Sequence, residues 1–365
     1  MTVKVNVILP NSPLFFGSGR SFSPNTSFWD VTLPLPTPST LFGAFGRVVY
    51  ESMGVTHCNS SCREEILNRV PKFIPAIAEI PSENLESLFY GKETEAHLYL
   101  PAPPVRKRGE AFLPPCKLGD LGDLAFNPTP TTWIPVTKLV CLLSGRMACV
   151  RVIRPEEVLT FEDRVGIKLG KQRVVEQGFF YRLTMVAPRV GEKSFFPAFI
   201  SISNSESEEV VRDGMRVLIG GERRTAVIRE VRVRGLEGLM DLITGDLTRN
   251  EYLLLTPGIY LERSECSFRD LYRGDSSKCC VRSRKSLLHG MRVMPAPKGF
   301  KSHVRGWSTL PLTLRHRWQE RVVIRAVSEG SVLVRDGCDG CKPTSFGEEM
   351  GFGFVVPMEV PECFT

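Results

Sequence analysis

The chain has 365 residues, is 42% hydrophobic and 24% charged, and carries a net charge of +7, the profile of a folded globular protein. That length exceeds what one core usually covers and predicts two domains. No apolar run approaches a membrane span, and Met1–Pro10 lacks a basic segment leading an apolar core. The sequence therefore argues against a membrane protein or a secretion signal and predicts a cytoplasmic location.

Val3–Leu9 alternates apolar and polar residues and predicts a strand. The loop Phe16-Gly17-Ser18-Gly19-Arg20 follows. Leu33–Thr40 is an extended Pro-rich lead ending in hydroxyl residues suited to cap a helix. That helix is expected over Leu41–Met53, with Leu41, Phe45, Val48 and Val49 on one side. Gly43 and Gly46 weaken its propensity, which implies a close approach there. Residues 54–135 read as Pro-rich loops with a short helix near Cys62–Val70, and Cys141–Arg154 reads as a strand pair. Glu162–Tyr181 predicts a compact hairpin, and Phe195–Ser203 another strand. The polar stretch Ser205–Glu209 divides the chain into expected domains 1–204 and 205–365. Beyond it, strands are expected at Arg216–Ile219, Ala226–Arg234 and Tyr252–Leu255. Val322–Val327 and Val332–Arg335 predict a hairpin. Many short strands and few helices define an α+β fold class.

Charge is unevenly placed. Between Arg282 and Arg325 lie eight Arg, three Lys and one acid, Glu320, so this segment carries +10 and the rest of the chain −3. Such a stretch is an electrostatic footprint for a polyanion, and Phe300, Trp307 and Trp318 within it can stack on unpaired bases. The plainer alternative is a solvated basic face around core tryptophans. The scarcity of local acids favours nucleic acid.

Other chemistry is thinner. The eleven cysteines follow no framework spacing and are expected as buried thiols rather than disulfides. Cys338-Asp339-Gly340-Cys341 has a zinc-knuckle spacing but needs two further ligands, from Cys58 and Cys62 or Cys279 and Cys280. No metal is the expectation, with structural zinc as the alternative. His289, His303 and His316 fall in the basic segment without a recognisable catalytic spacing, so phosphate contact is favoured over acid–base catalysis. Three glycine loops, at Gly17 and Gly19, Gly220 and Gly221, and Gly351 and Gly353, fit neither a phosphate-loop nor a dinucleotide pattern. They are tight turns or backbone cradles for phosphate. The first two run directly into Arg20 and into Arg223-Arg224.

Several stretches, in order, resemble the third subunit of the type III-B CRISPR (Cmr) effector complex, of the RAMP superfamily. They are Leu14-Phe15-Phe16 with Arg20 and Phe22; Leu33-Pro34-Leu35-Pro36 with Gly43-Ala44 and Arg47; and Arg164–Leu169 with Val174-Val175-Glu176 and Gly178–Tyr181. Gly220–Arg224, Thr256-Pro257, Gly306-Trp307, Gly330-Ser331-Val332 and Gly351-Phe352-Gly353 complete the set. The family often has Arg where this chain has Gly17, and Ser-Gly-Trp-Asp where it has Arg305-Gly306-Trp307-Ser308.

The resemblance implies two ferredoxin-like (RRM-like) domains, glycine-rich loops at their junction and a projecting hairpin. It implies a non-catalytic subunit, without cofactor, that grips the 5′ handle of the CRISPR RNA. Its partners would be the large polymerase-like subunit and the adjacent backbone RAMP subunit, with target RNA reached indirectly. The expected RNA contacts are Gly17, Ser18, Gly19 and Arg20; Ser39, Thr40 and Arg47; and Lys168, Lys171 and Arg173. Gly220, Gly221, Glu222, Arg223 and Arg224 follow, then Arg292, Lys298, Lys301, Arg305 and Trp307, and last Gly351, Phe352 and Gly353. The alternative is an RNA-processing endoribonuclease of the same superfamily acting through His289 or His303.

Overall fold

The computed structural model describes residues 2–17, 28–103, 106–108, 111–113, 132–146, 152–169, 175–204, 210–220, 224–244, 250–260, 269, 300–303, 307–312, 322–335 and 343–359. The elements run in chain order: β1 (Thr2–Pro10), β2 (Phe28–Val31), α1 (Pro38–Ser52), α2 (Ser60–Arg69), β3 (Lys72–Pro81), α3 (Ser82–Tyr90), β4 (Glu95–Pro101), β5 (Arg106–Arg108), β6 (Ala111–Leu113), β7 (Trp133–Pro135), α4 (Val136–Leu143), α5 (Pro155–Val158), β8 (Leu159–Leu169) and β9 (Val175–Pro188). They continue with β10 (Lys193–Ser203), β11 (Arg216–Ile219), β12 (Arg224–Val233), α6 (Leu236–Thr244), β13 (Glu251–Leu254), β14 (Phe300–His303), β15 (Trp307–Leu312), β16 (Val322–Val327), β17 (Val332–Arg335) and β18 (Val355–Met358).

A seven-stranded sheet in the order β11-β12-β1-β10-β3-β4-β7 forms the centre. Its successive pairings are antiparallel. A short parallel pairing of Arg232 with Glu95 and Val233 with Ala96 brings β12 round to β4 and closes five strands into a ring. Strands β11 and β12 lie beyond residue 205 in the chain, yet β12 pairs with β1. Smaller sheets are β14-β17-β13-β18 and the three-stranded β2-β9-β8. The mixed architecture, rich in antiparallel strands and poor in helix, agrees with the α+β expectation.

Both faces of the central sheet are covered, so β1 departs from simple alternation. Val5, Val7 and Leu9 face α4, α6 and the β13–β18 sheet through Leu139, Leu142, Leu239, Leu253 and Val356. Ile8 faces α1 and α2 with Phe73, Phe199 and Ile228. Phe45 of α1 stacks on Phe73 at 5.1 Å and meets Phe199 edge-on at 5.5 Å. Asn6, buried between strands, donates to Ser201 Oγ at 3.1 Å, which meets the cost of burying an amide.

Helix α1 starts before the expected Leu41, because Thr37 caps it and Pro38 occupies its first turn, where a missing N–H costs nothing. The Thr37 hydroxyl accepts from Thr40 N at 3.2 Å. A side chain at Gly46 would meet Ile66 Cγ2 at 3.2 Å, which accounts for that glycine by the approach of α2. At Gly43 nothing lies within 4 Å.

Three expectations are corrected. Residues 54–135 contain the expected short helix as α2, but also β3, α3 and β4 where loops were expected. The prolines of this region mislead because of where they sit. Pro75 pairs with Phe199 on one side, while β4 pairs only with Ile77, Ala78 and Glu79 on the other, so its missing N–H is not called for. Within the expected strand pair Cys141–Arg154, Cys141 lies in helix α4, whose Val136, Leu139, Leu142 and Leu143 recur at helical spacing and are all buried. Cys58 and Cys62 form a disulfide with Cα atoms 5.2 Å apart, since one precedes the Asn59 cap of α2 and the other lies in its first turn. Cys141 is a free thiol.

The sheet also holds one buried charge. Glu79 on β3, with a side chain 7% exposed, accepts from Tyr99 Oη at 2.6 Å and pairs with Lys193 Nζ at 2.9 Å. Burial alone would raise its pKa, but the Tyr99 hydroxyl, Lys193 and the facing His97 outweigh burial and hold it below the ordinary value. A lowered carboxyl pKa adds stability that is complete above the unfolded value of about 4.3 and is lost as pH falls through the folded one. Glu79→Gln is expected to cost about 1–3 kcal/mol at pH 7. The loss should shrink under acid, measured as denaturant midpoints at neutral and acid pH. An equal loss at both would show that the ionised form is not what stabilises.

Candidate nucleic-acid interface

The short segment Leu14–Gly17 is where distant candidates meet. Leu14 exchanges two backbone hydrogen bonds with Val186 of β9, at 2.7 and 2.8 Å. Phe15 packs with Leu183 and Met185 at the base of the β8–β9 hairpin. Phe16 N donates to Thr32 Oγ1 at 2.9 Å, and its carbonyl accepts from Leu33 N at 2.7 Å. That second contact fixes the lead into α1 only a few residues before its cap. On the other flank, Gly220 has φ +75°, and a Cβ there would lie 2.5 Å from the Phe15 carbonyl oxygen. Only glycine satisfies both the left-handed backbone and the closeness.

The hairpin base, the α1 lead and the β11–β12 turn are thus tied to one four-residue segment. Gly17 itself is half-buried at its end. Arg224 opens β12 opposite Ile219, and its Nε is buried with no hydrogen-bond partner among the described residues. Beside it, Asn11 N donates to Thr225 O at 3.1 Å and Asn11 Nδ2 to Thr225 Oγ1 at 2.9 Å, closing the sheet edge.

The hairpin is longer than its sequence signal. Strands β8 and β9 pair from Leu159 with Pro188 outward to Leu169 with Val175, with one irregularity near Ile167. Parallel strand β2 adds to β9 as a third strand. Such an addition helps, since two strands alone are marginal. Asp163 accepts from Arg182 and, at 2.7 Å, from the Thr184 hydroxyl, and its pKa is lowered mainly by the Arg182 bond. Lys168 lies in the outer part of β8.

Ser39 and Thr40 occupy the first turn of α1, where their hydroxyls lie 2.9 and 3.0 Å from the Thr37 hydroxyl. Arg47 is exposed on the same helix and donates to Glu51 at 2.6 Å. Lys301 falls in β14 opposite Val334, and Trp307 in β15 opposite Val327. Ser18, Gly19, Arg20, Lys171, Arg173, Gly221, Glu222, Arg223, Arg292, Lys298 and Arg305 lie outside the described residues, as do Cys338 and Cys341. Among the described residues no group of three or more His, Cys, Asp or Glu is placed to hold a metal.

The third glycine pair has an internal explanation. Gly351 has φ +105°, and a Cβ there would run into the backbone of Phe73. Thr256 Oγ1 donates to Gly351 O at 2.6 Å and accepts from Phe354 N at 2.8 Å. Phe352 is fully buried in the core under α1, so its ring offers no face to a base. The sequence signal common to all three loops was glycine spacing, which does not separate a packed turn from an open one. What sequence reasoning missed is the hub itself. As a run, Leu14, Phe15 and Phe16 are singled out only by the family resemblance, and their role emerges from partners up to 205 positions away, at Gly220.

A family model matches residues 6–333, nearly the whole chain. The class it defines is that of the CRISPR-associated proteins, and the chain is a subunit of a CRISPR effector complex. Within that class the chain belongs to the family described as CRISPR-associated protein (Cas_Cmr3), the third-subunit type of the type III-B complex. Among solved structures, the chain is similar to a chain of the type III-B Cmr-beta complex bound to cognate target RNA and AMPPnP, at 16% identity and TM-score 0.44, over 91% of this chain and 86% of that one. It is likewise similar to a chain of Cmr-beta bound to cognate target RNA, at 17% identity and TM-score 0.43 over the same shares. A chain of the Csm1-Csm4 cassette in complex with one ATP follows, at 12% identity and TM-score 0.36, over 99% of this chain and 100% of that one. A search of curated proteins gave no match.

Proposed function

We propose that this protein is a non-catalytic CRISPR RNA-binding subunit. In this reading it grips the 5′ handle of the guide and links the large polymerase-like subunit to the adjacent backbone subunit, with target RNA engaged indirectly. The observation that carries the reading is the convergence on Leu14–Gly17 of the α1 lead, the hairpin base and the Gly220 turn. Each of these leads into a hydroxyl or cationic candidate: Ser39 and Thr40, Lys168 and the Lys171–Arg173 tip, and Arg224. Backbone held close, with hydroxyl and cationic residues next along the chain, suits a single strand gripped by its phosphates.

The family's two ferredoxin-like halves, divided near residues 204 and 205, belong to the same proposal. The contact of Gly220 with Phe15 supports a glycine-lined junction, because it joins a loop from each side of that division. The buried Phe352 is left out of the interface.

The test is footprinting of labelled guide RNA on the assembled complex, with Lys171, Gln172 and Arg173 replaced by Gly-Ser-Gly. Protection at the junction of handle and spacer should be lost, while protection elsewhere persists. Unchanged protection would remove the hairpin from the guide path. Incubating precursor RNA with the purified chain should leave it intact. Cleavage abolished by His289→Ala or His303→Ala would replace the binding reading with an endoribonuclease.

A further inference from the structure

Helix α3 turns a continuous stripe to solvent. Ser82, Glu83, Glu86, Phe89 and Tyr90 are all exposed and recur at helical spacing, so two carboxylates lead into two aromatic rings along one face. Phe89 is 53% exposed and Tyr90 73%, while Leu88 between the stripe and the sheet is buried. Large rings exposed side by side lose apolar contact with nothing gained inside the chain.

These rings stand on a built platform. Gly91, at φ +70°, ends the helix, with Gly91 N donating to Leu88 O at 3.3 Å and Lys92 N to Ser87 O at 2.9 Å. Arg229 from β12 packs beneath, and a Cβ at Gly91 would lie 2.6 Å from its Nη1. Asp213 holds Arg229 Nη1 at 3.1 Å and accepts from Glu230 N at 2.9 Å, and Arg229 Nη2 donates to Phe89 O at 3.3 Å. The Phe89 ring meets buried Phe196 edge-on at 6.5 Å. Phe89, already fixed in this way, forfeits little freedom on binding, which is the property of an interface anchor, and Tyr90 beside it adds exposed ring area.

The surrounding charge selects the occupant. The guanidiniums of Arg229, Arg232 and Arg234 are each taken by a carboxylate, of Asp213, Glu93 and Glu95. Glu83 and Glu86 remain as the charges of the stripe, and α3 has no basic residue. Exposed Lys92 follows the helix, but the two carboxylates outnumber it, so the face disfavours a nucleic-acid backbone.

We propose that the exposed face of α3 is a protein-docking site, received by an apolar groove with a cationic rim on another subunit of the effector complex. Phe89 and Tyr90 fill the groove, and Glu83 and Glu86 meet its basic edge, a helix-in-groove mode. The inference rests on membership of a multi-subunit complex and is independent of the guide-binding reading.

The experiment co-expresses the full chain with the other protein subunits of its complex and reads stoichiometry by native mass spectrometry. Two variants are compared with the parent: Phe89→Ala with Tyr90→Ala, and Glu83→Lys with Glu86→Lys, which leaves the rings in place. The charge variant should retain the parent melting temperature, and the aromatic variant, which gives up the contact of Phe89 with Phe196, should stay folded with a modest decrease. Both should weaken retention of one and the same subunit by about tenfold or more, with guide RNA affinity unchanged. Full stoichiometry in both variants would overturn the proposal. So would a loss of guide affinity with every subunit kept, or a self-association of the purified chain that the variants abolish while the complex stays whole. Loss of guide binding by the parent chain would count against the proposed function alone.

Discussion

Replacing Gly351 by alanine is expected to destabilise the protein by about 3 kcal/mol or more, the largest effect of any single substitution considered. Two costs add at one residue. The backbone sits at φ +105°, where a side chain is strained, and the new Cβ would collide with the backbone of Phe73 on the central strand β3. Neither neighbour can give way. Phe73 N donates to Met350 O at 3.2 Å, and its ring is locked between Phe45 and Phe199. Gly353 next to it has φ +62° and lies against Ser345, so the turn cannot relax toward the C-terminus either. Denaturant unfolding should show a lower midpoint with an unchanged slope, the mark of lost stability in an intact fold. A wild-type midpoint would mean that the turn moves away from β3 at little cost. Retained guide binding by the folded fraction is expected, because this turn packs into the core under α1.

That contrast with Gly220 explains what the sequence could reveal. Both glycines occur in short Gly-x patterns beside candidate residues, and both adopt a left-handed backbone. One abuts Phe73 inside the core and the other abuts the carbonyl of Phe15 at a loop junction. Glycine spacing predicts that a turn is tight and is silent on what the turn presses against. Local signals fared better where the physics is local. The β8–β9 hairpin is legible because alternation and a basic tip fall within one short stretch. Helix α1 is legible in its existence, because a Pro-rich lead ends in hydroxyl residues before Leu41, Phe45 and Val49, but not in its start, since Thr37 and Pro38 supply the cap and first turn. Strand β3 was illegible because Pro75 and Pro81 read as breakers, and only the finished sheet leaves the proline edge without a partner. The disulfide of Cys58 and Cys62 was likewise hidden, since its geometry depends on where α2 begins. The hub at Leu14–Gly17 is the extreme case, as its partners come from Thr32, Val186 and Gly220.

Changing Arg292, Lys298, Lys301 and Arg305 together to alanine is expected to remove most of the chain's affinity for single-stranded guide RNA. The segment from Arg282 to Arg325 holds +10 in a chain whose total is +7, so its field on a polyanion is not cancelled locally. Affinity of this origin arises from counterion release and falls with salt by a slope of about −0.7 per phosphate neutralised. Four lost cations should therefore flatten that slope by up to about three and weaken binding most at low salt. Stability should hold, because thinning a run of like charges that has a single acid, Glu320, among its residues takes away repulsion. Of the four, Lys301 lies in β14, whose backbone pairs with β17 from Phe300 with Arg335 to His303 with Val332, so alanine leaves those hydrogen bonds in place. Trp307 in β15 is kept in this variant so that stacking and charge are read separately. The measurement is a titration of labelled guide RNA at several salt concentrations, for the parent and the fourfold variant. A parent affinity independent of salt, or a variant with full affinity and an unchanged slope, would show that the basic segment is a solvated face and that the guide is held elsewhere.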